Sequence, residues 1–230
     1  MACILHIETS TRVCSVALSQ DGACIFDKAD PDGPNHAVQC GVMVEEALSF
    51  ANSHAIPLDA VAVSEGPGSY TGLRIGFSMA KGVAYGYGIP LIYVPTLEVM
   101  TVPLLLYRED VAEDGLLVPM IDARRMEVYA AVYNRALKPV RTVAADVVDA
   151  DTYKEYLDRG PVYFFGDGSE KLTELIRHPN AHFLSGITPL AKYMFPLAER
   201  RYLREEFADV AYSEPFYLKE FVAVKPKNLL

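Results

Sequence analysis

Two carboxylates stand at matching places in the chain. Glu8 ends the apolar run "CILHIE" and Asp122 ends "LLVPMID". Sliding the first segment by 114 residues puts Ile7 on Ile121, Glu8 on Asp122, Ala17 on Ala131 and Leu18 on Val132. Carboxylates that close two equivalent strands and face one cleft suit a hard cation such as magnesium. Each also serves simply to open a turn. A second candidate is "SEGPGSYTGLRIG", Ser64 to Gly76, where glycines precede a helical pattern. Bare amides at a helix start hold anions, so Gly66 and Gly68 are candidates for a nucleotide phosphate. No lysine follows them as a Walker loop requires, and the dinucleotide spacing is absent. A structural turn fits the same residues.

His36 and Cys40 lie four apart on a predicted helix, a spacing that can hold zinc. No third ligand is evident, and a packed pair fits as well. There is no His-Glu-x-x-His motif, and Ser69 does not stand in Gly-x-Ser-x-Gly, so the usual metalloprotease and nucleophile-elbow parts are missing. Cys3, Cys14, Cys24 and Cys40 match no zinc-finger spacing and are expected to pack as small apolar groups.

The elements that position these residues follow from periodicity. "CILHIE", "VCSVALS" and "ACIFDKA" predict a three-strand meander, with Asp21-Gly22 as a hairpin turn. A helix is predicted from His36 to Ala51 and a strand over "DAVAVSEGPG". A second helix runs from Gly72 to about Tyr87, stopped by Gly88 and Pro90. "TLEVMTVPLLLY" predicts a further helix that Pro103 interrupts. "SEKLTELI" and "TPLAKYMFPLAERRYL" predict helices, and the tail from Ser213 reads as extended. The pattern restarts near Leu116, which predicts two copies of a hairpin-led α/β unit.

On the second helix Gly72, Gly76, Ala80, Ala84 and Gly88 recur every four residues. Such a nearly bare ridge lets another helix or a sheet approach closely, within the domain or from a partner. Half of the 230 residues are apolar, enough for a sizeable core. The net charge is −9, and no basic stripe of the kind that grips nucleic acid is present. If RNA matters, another chain does most of the holding. Arg74, Arg124 and Arg125 are candidates for interface or RNA contacts, with solvated surface charge as the alternative. No basic segment with a long apolar run opens the chain, and no run is long enough to span a bilayer, so a cytoplasmic protein is expected.

Taken together, "ILHIETSTRVCSVAL", "EGPGSYTGLRIGFSMAKGVAYGYGIPLIYVPTLE", "MIDARRMEVYAAVY" and "EPFYLK" resemble the TsaB (YeaZ) family over nearly the whole chain. The resemblance implies an α/β fold of the actin-like ATPase (ribonuclease H-like) type. That fold is duplicated into two lobes, each with a mixed sheet flanked by helices. It divides the chain into residues 1–105, carrying partner-binding helices, and 106–230, whose last helix packs back on the first lobe. It implies a non-catalytic subunit for threonylcarbamoyl transfer to the adenosine next to the anticodon of tRNA. That subunit pairs with TsaD, recruits the ATPase TsaE and forms a homodimer when alone. On this reading Gly72, Leu73, Arg74, Gly76, Phe77, Ala80 and Ala84 of the second helix, with Val44 and Leu48 of the first, form the interface. Transfer RNA is met only through the complex, which uses ATP and magnesium, and the resemblance assigns no cofactor to the chain itself. TsaD carries a His-x-x-x-His metal pair where this chain has His36 and Cys40, so the second histidine is missing. The competing expectations are an actin-fold ATPase or kinase acting through Glu8 and Asp122, and a glycoprotease-type metallopeptidase.

Overall fold

The computed structural model describes residues 2–33 and 35–219. Strands β1 (Cys3–Glu8), β2 (Cys14–Gln20) and β3 (Ala23–Asp30) form the meander. The β2–β3 turn places Asp21 at φ 57° and Gly22 at φ 78°, the left-handed pair that an Asp-Gly turn tolerates. Strands β4 (Ala60–Gly66) and β5 (Leu91–Pro95) extend the sheet in parallel beside β1, giving the order β3-β2-β1-β4-β5.

The second sheet repeats this plan. Strands β6 (Leu116–Asp122), β7 (Glu127–Tyr133) and β8 (Pro139–Val147) form the antiparallel part. Strands β9 (Val162–Phe165) and β10 (Ala181–Leu184) are added in parallel. The order β8-β7-β6-β9-β10 matches the first sheet strand for strand. Each sheet with its helices makes one lobe of a duplicated α/β fold.

Side-chain alternation along β1 assigns the layers. Cys3, Leu5 and Ile7 face α1 (His36–Ser53) and α2 (Tyr70–Tyr87), sharing a core with Cys40, Val44, Phe77 and Ala80. Ile4 faces the other way, with Ala60 and Ala62, toward Val102 of α3 (Thr96–Tyr107) and Leu197 and Ala198 of α5 (Phe195–Leu203). Helix α3 also turns Leu97, Met100 and Leu104 toward Leu117, Ile121 and Phe165 of the second sheet. It is the apolar wedge between the lobes. This explains a departure from expectation: Pro103 does not interrupt α3. The proline removes one backbone bond, but burial against both sheets holds the helix through it.

Two other helices are shorter than the periodicity predicts. "SEKLTELI" gives only a 3₁₀ turn over Asp167–Leu172. The last helix begins at Phe195 rather than near Thr188, with Pro196 in its first turn and a 3₁₀ turn at Ala191–Tyr193 before it. A single turn, α4 (Lys154–Leu157), comes after β8. Beyond α5, Ala208 bridges to Leu91 at the β5 edge. Ser213 to Lys219 form neither helix nor strand, and the remainder of the tail expected to be extended lies outside the described residues. No helix among the described residues is long and apolar enough to cross a membrane.

Candidate partner face and interlobe cleft

The glycines of α2 serve an approach inside the molecule. Ser69 caps the helix, its Oγ accepting from the Gly72 amide at 3.2 Å, while its own amide donates to the Ser10 carbonyl at 2.6 Å. The Thr9 hydroxyl donates to the Gly72 carbonyl at 2.8 Å. A Cβ at Gly72 would collide with the Thr9 carbonyl, one at Gly76 with the Thr9 hydroxyl, and one at Gly68 with the Ser10 carbonyl. Gly66, at φ +114°, lies under the Phe216 carbonyl, which a Cβ would meet at 2.6 Å. These glycines seat the β1–β2 turn and the C-terminal segment. Gly66 is buried beneath that segment, whereas Gly68 lines the interlobe cleft with Ser69 and Gly72.

The expected interface also needs correction. Gly72, Leu73, Gly76, Phe77, Ala80 and Ala84 are all buried in the chain's own core, as is Val44 of α1. Leu48 is half-buried and packs on the same core. No partner reaches them without opening the first lobe. Of the α2 residues expected at the interface, Arg74 alone is exposed. The helix has a second small-residue row that periodicity did not single out. Ser78, Gly82 and Gly86 also recur every four residues, and they are exposed. A Cβ added at Gly82 or Gly86 meets nothing within 4 Å. They line an open groove of about 980 Å³ with Ala37, Arg74, Ile75 and Met79. Val38 and Val42 of α1, 64% and 45% exposed, continue this apolar face.

The two strand-end carboxylates have opposite surroundings. Glu8 is fully buried, on the side of β1 that faces α3 and α5, and accepts from the Ser10 amide at 2.7 Å. Desolvation pushes its pKa up, favouring the neutral acid. The Asp122 side chain is 47% exposed at the rim of the interlobe cleft and accepts from Lys171 Nζ at 2.6 Å. Partial burial works to raise its pKa, but the Lys171 ammonium and the Arg124 amide override this and hold it below the usual range. A sealed carboxyl and a carboxylate already paired with lysine do not fit a shared magnesium ion. Among the described residues, no three His, Cys, Asp or Glu side chains are grouped to hold a metal.

His36 and Cys40 diverge as well. His36 Nε2 donates to the Thr11 carbonyl at 2.8 Å, whereas Cys40 lies in the core, its thiol hydrogen-bonded to that of Cys14. All four cysteines are free, and only Cys24 is exposed.

The cleft itself, about 950 Å³, lies between the two β-hairpin turns. Ser10 to Arg12 come from the first lobe and Asp122 to Arg124 from the second, with Phe216 to Lys219 along one side. Arg124 and Arg125 take left-handed backbone angles, φ 68° and 52°, at the β6–β7 turn. Lys171 steadies that turn by donating also to the carbonyls of Arg125 and Glu127, at 2.7 and 3.0 Å.

Two topologically identical sheets, with a helix wedged between them and hairpin turns facing across a cleft, define an actin-like, ribonuclease H-like α/β protein. The fold matches that of an inorganic polyphosphate/ATP-glucomannokinase from Arthrobacter at TM-score 0.50 and 10% identity, covering 89% of this chain and all of that one. YeaZ from Pseudomonas aeruginosa matches far better, at TM-score 0.78 and 26% identity over 95% of this chain and all of that one. The family described as TsaD, tRNA N6-adenosine threonylcarbamoyltransferase, matches residues 33–223. The tRNA threonylcarbamoyladenosine biosynthesis protein TsaB of Escherichia coli is 32% identical over 232 residues, 96% of each chain. The TsaB of Bacillus subtilis is 31% identical over 176 residues, 75% of this chain and 74% of that one. The chain belongs to the TsaB (YeaZ) family.

Proposed function

We propose that this chain is a non-catalytic subunit in the formation of threonylcarbamoyladenosine in tRNA. It pairs with a TsaD-type transferase through the outward face of α1 and α2 and supports recruitment of TsaE. Relatives named for this biosynthesis cover nearly the whole chain. The observation that carries the pairing is the open, small-residue groove along Ser78, Gly82 and Gly86, flanked by exposed Val38 and Val42. A contiguous apolar face on a globular domain marks an interaction surface. Bare backbone at Gly82 and Gly86 lets a partner helix come close, where shape complementarity is worth most. The burial of Glu8 and the pairing of Asp122 with Lys171 favour a supporting role over ATPase or kinase chemistry in this cleft.

The test mixes the purified chain with a TsaD-type transferase and its substrates and follows modification of tRNA. The chain alone transfers nothing, and the pair outperforms the transferase alone. Gly82→Leu weakens the pair by roughly thirtyfold or more, the loss of one interface hot spot. Transfer by the isolated chain, or full pairing by Gly82→Leu, overturns the proposal.

A further inference from the structure

We infer that Pro215 to Lys219 form a strap across the interlobe cleft, and that Arg74 is a latch coupling its closure to docking on the α1–α2 groove. The strap crosses from one lobe to the other. The Phe216 amide donates to the Glu65 carbonyl at 2.7 Å, and its own carbonyl lies over Gly66 at the end of β4. The Tyr217 ring packs on Tyr70, 4.7 Å between centroids, at the first turn of α2. Lys219 then reaches the second lobe and pairs with Glu127 on β7. Phe216 to Lys219 thus line the cleft from within the chain.

The latch sits where the two concave surfaces meet. Arg74 Nε donates to the Tyr217 hydroxyl at 3.3 Å, and its guanidinium lies 4.3 Å over the Tyr70 ring. Arg74 also lines the outward groove, and Tyr70, Thr71 and Ile75 line both groove and cleft. A partner seated in the groove meets the same guanidinium that holds Tyr217. An acidic group offered by that partner competes with a neutral phenol and wins, because a charged acceptor binds guanidinium more strongly and in a fixed fork. Among the described residues, the strap without Arg74 keeps the Phe216 bond to Glu65, the Tyr217 ring contact with Tyr70 and the exposed Lys219–Glu127 pair. Segments held by so few contacts open first.

The coupling rests on the reading that a partner docks on this groove, whereas the latch does not. Hydrogen exchange of the full chain tests the latch. In Arg74→Ala, exchange over 213–219 rises at least tenfold, while the buried amides of Phe77 and Ala80 keep wild-type protection. Tyr217→Ala gives the same result from the strap's side. Unchanged exchange at 213–219 in both variants overturns the latch, and loss of protection throughout α2 in both overturns it in favour of a purely structural contact. Exchange of the wild-type chain bound to the TsaD-type transferase tests the coupling, again with a tenfold rise expected over 213–219. A stable complex with a protected strap overturns the coupling. Absence of any complex overturns the function proposed above and the coupling with it, and the two variants still decide the latch.

Discussion

The β1–β2 turn and the β6–β7 turn occupy equivalent places in two sheets of identical topology, yet the first is clamped at Thr9 and Ser10 and the second is open from Asp122 onward. The difference lies in the element that comes after the fourth strand of each lobe. After β4 comes α2, eighteen residues long, whose glycines let it close over Thr9 and Ser10. After β9 comes only the 3₁₀ turn Asp167–Leu172, which leaves Asp122 half in water and supplies Lys171 to neutralise it. The duplicated frame sets where a carboxylate stands. Its surroundings set whether that carboxylate can do chemistry: Glu8 is buried on the side of β1 that faces α3 and α5, and Asp122 is paired with Lys171. The helix after β4 also bears on where a partner can bind, since among the described residues the two long helices with an apolar outer face belong to the first lobe.

The sharpest way to break this comparison is to fill the inner and outer rows of α2 in turn. Gly76→Leu drives a side chain into Thr9 and the sheet beneath. It is expected to cost at least about 3 kcal/mol, a large part of a typical domain's stability. Circular dichroism in urea should show an early midpoint or an unfolded chain. Gly82→Leu meets only open space, and replacing a helical glycine gains up to about 1 kcal/mol. Its midpoint should hold or rise while pairing with the transferase falls by about 2 kcal/mol, read by calorimetry. If both variants fold equally well, the assignment of inner and outer rows is wrong.

The buried side of β1 offers a pH test. His6 is fully buried beside the Ser19 hydroxyl, and desolvation lowers its pKa to about 3. The unfolded chain takes up that proton near pH 6.5. Below that pH the unfolded state binds more protons, so the His6 contribution is full above 6.5 and lost progressively down to about 3. The slope approaches about 1.4 kcal/mol per pH unit. Glu8 acts in the opposite sense. Its raised pKa means that the folded state keeps a proton the unfolded state has released, so stability rises as pH falls back through the raised pKa. His6→Gln should therefore show a urea midpoint that climbs, relative to wild type, as pH falls from about 6.5 to about 4.5. Parallel curves would show that His6 takes a proton within the folded protein.

Much of the frame was legible in the sequence because it rests on local chemistry. The Asp21-Gly22 turn, the Gly88 end of α2 and the repeat of strand, carboxylate, turn and strand all depend on residues a few positions apart, whereas α2 starts at Tyr70 under a Ser69 cap, two residues before the expected Gly72. The orientation of α2 was not legible. Its residues are small at 72, 76, 80 and 84 and again at 78, 82 and 86, so side-chain size alone does not say which row faces inward. The answer comes from Thr9, more than sixty residues away in the chain. The same limit hid the partner of Asp122, since Lys171 stands in a stretch whose periodicity suggests an ordinary helix. Pro103 misled in the other direction, because burial from two sheets outweighs a local breaker. Strand β8 is mostly half-exposed and β10 has four residues, so neither carries a strong alternation.

The smallest expected effect sharpens the contrast between the two turns. Lys171→Met keeps the apolar stem and removes an ammonium that serves Asp122 and the carbonyls of Arg125 and Glu127. Asp122 is nearly half exposed, so water recovers much of what is lost, and a cost of about 1 kcal/mol is expected. The informative readout is the Asp122 carboxyl, observed by carbon NMR through acid titration. In the wild type it titrates below the usual carboxylate range, and its contribution to stability is lost as pH falls through that lowered value. Without Lys171, desolvation acts with less opposition and the titration moves upward. The Arg124–Arg125 turn loses its tie at the same time, so its amides should exchange faster while those of Thr9 and Ser10, clamped by α2, do not change. An Asp122 titration that stays in place would mean that the backbone amide of Arg124, rather than lysine, holds the charge in the second lobe.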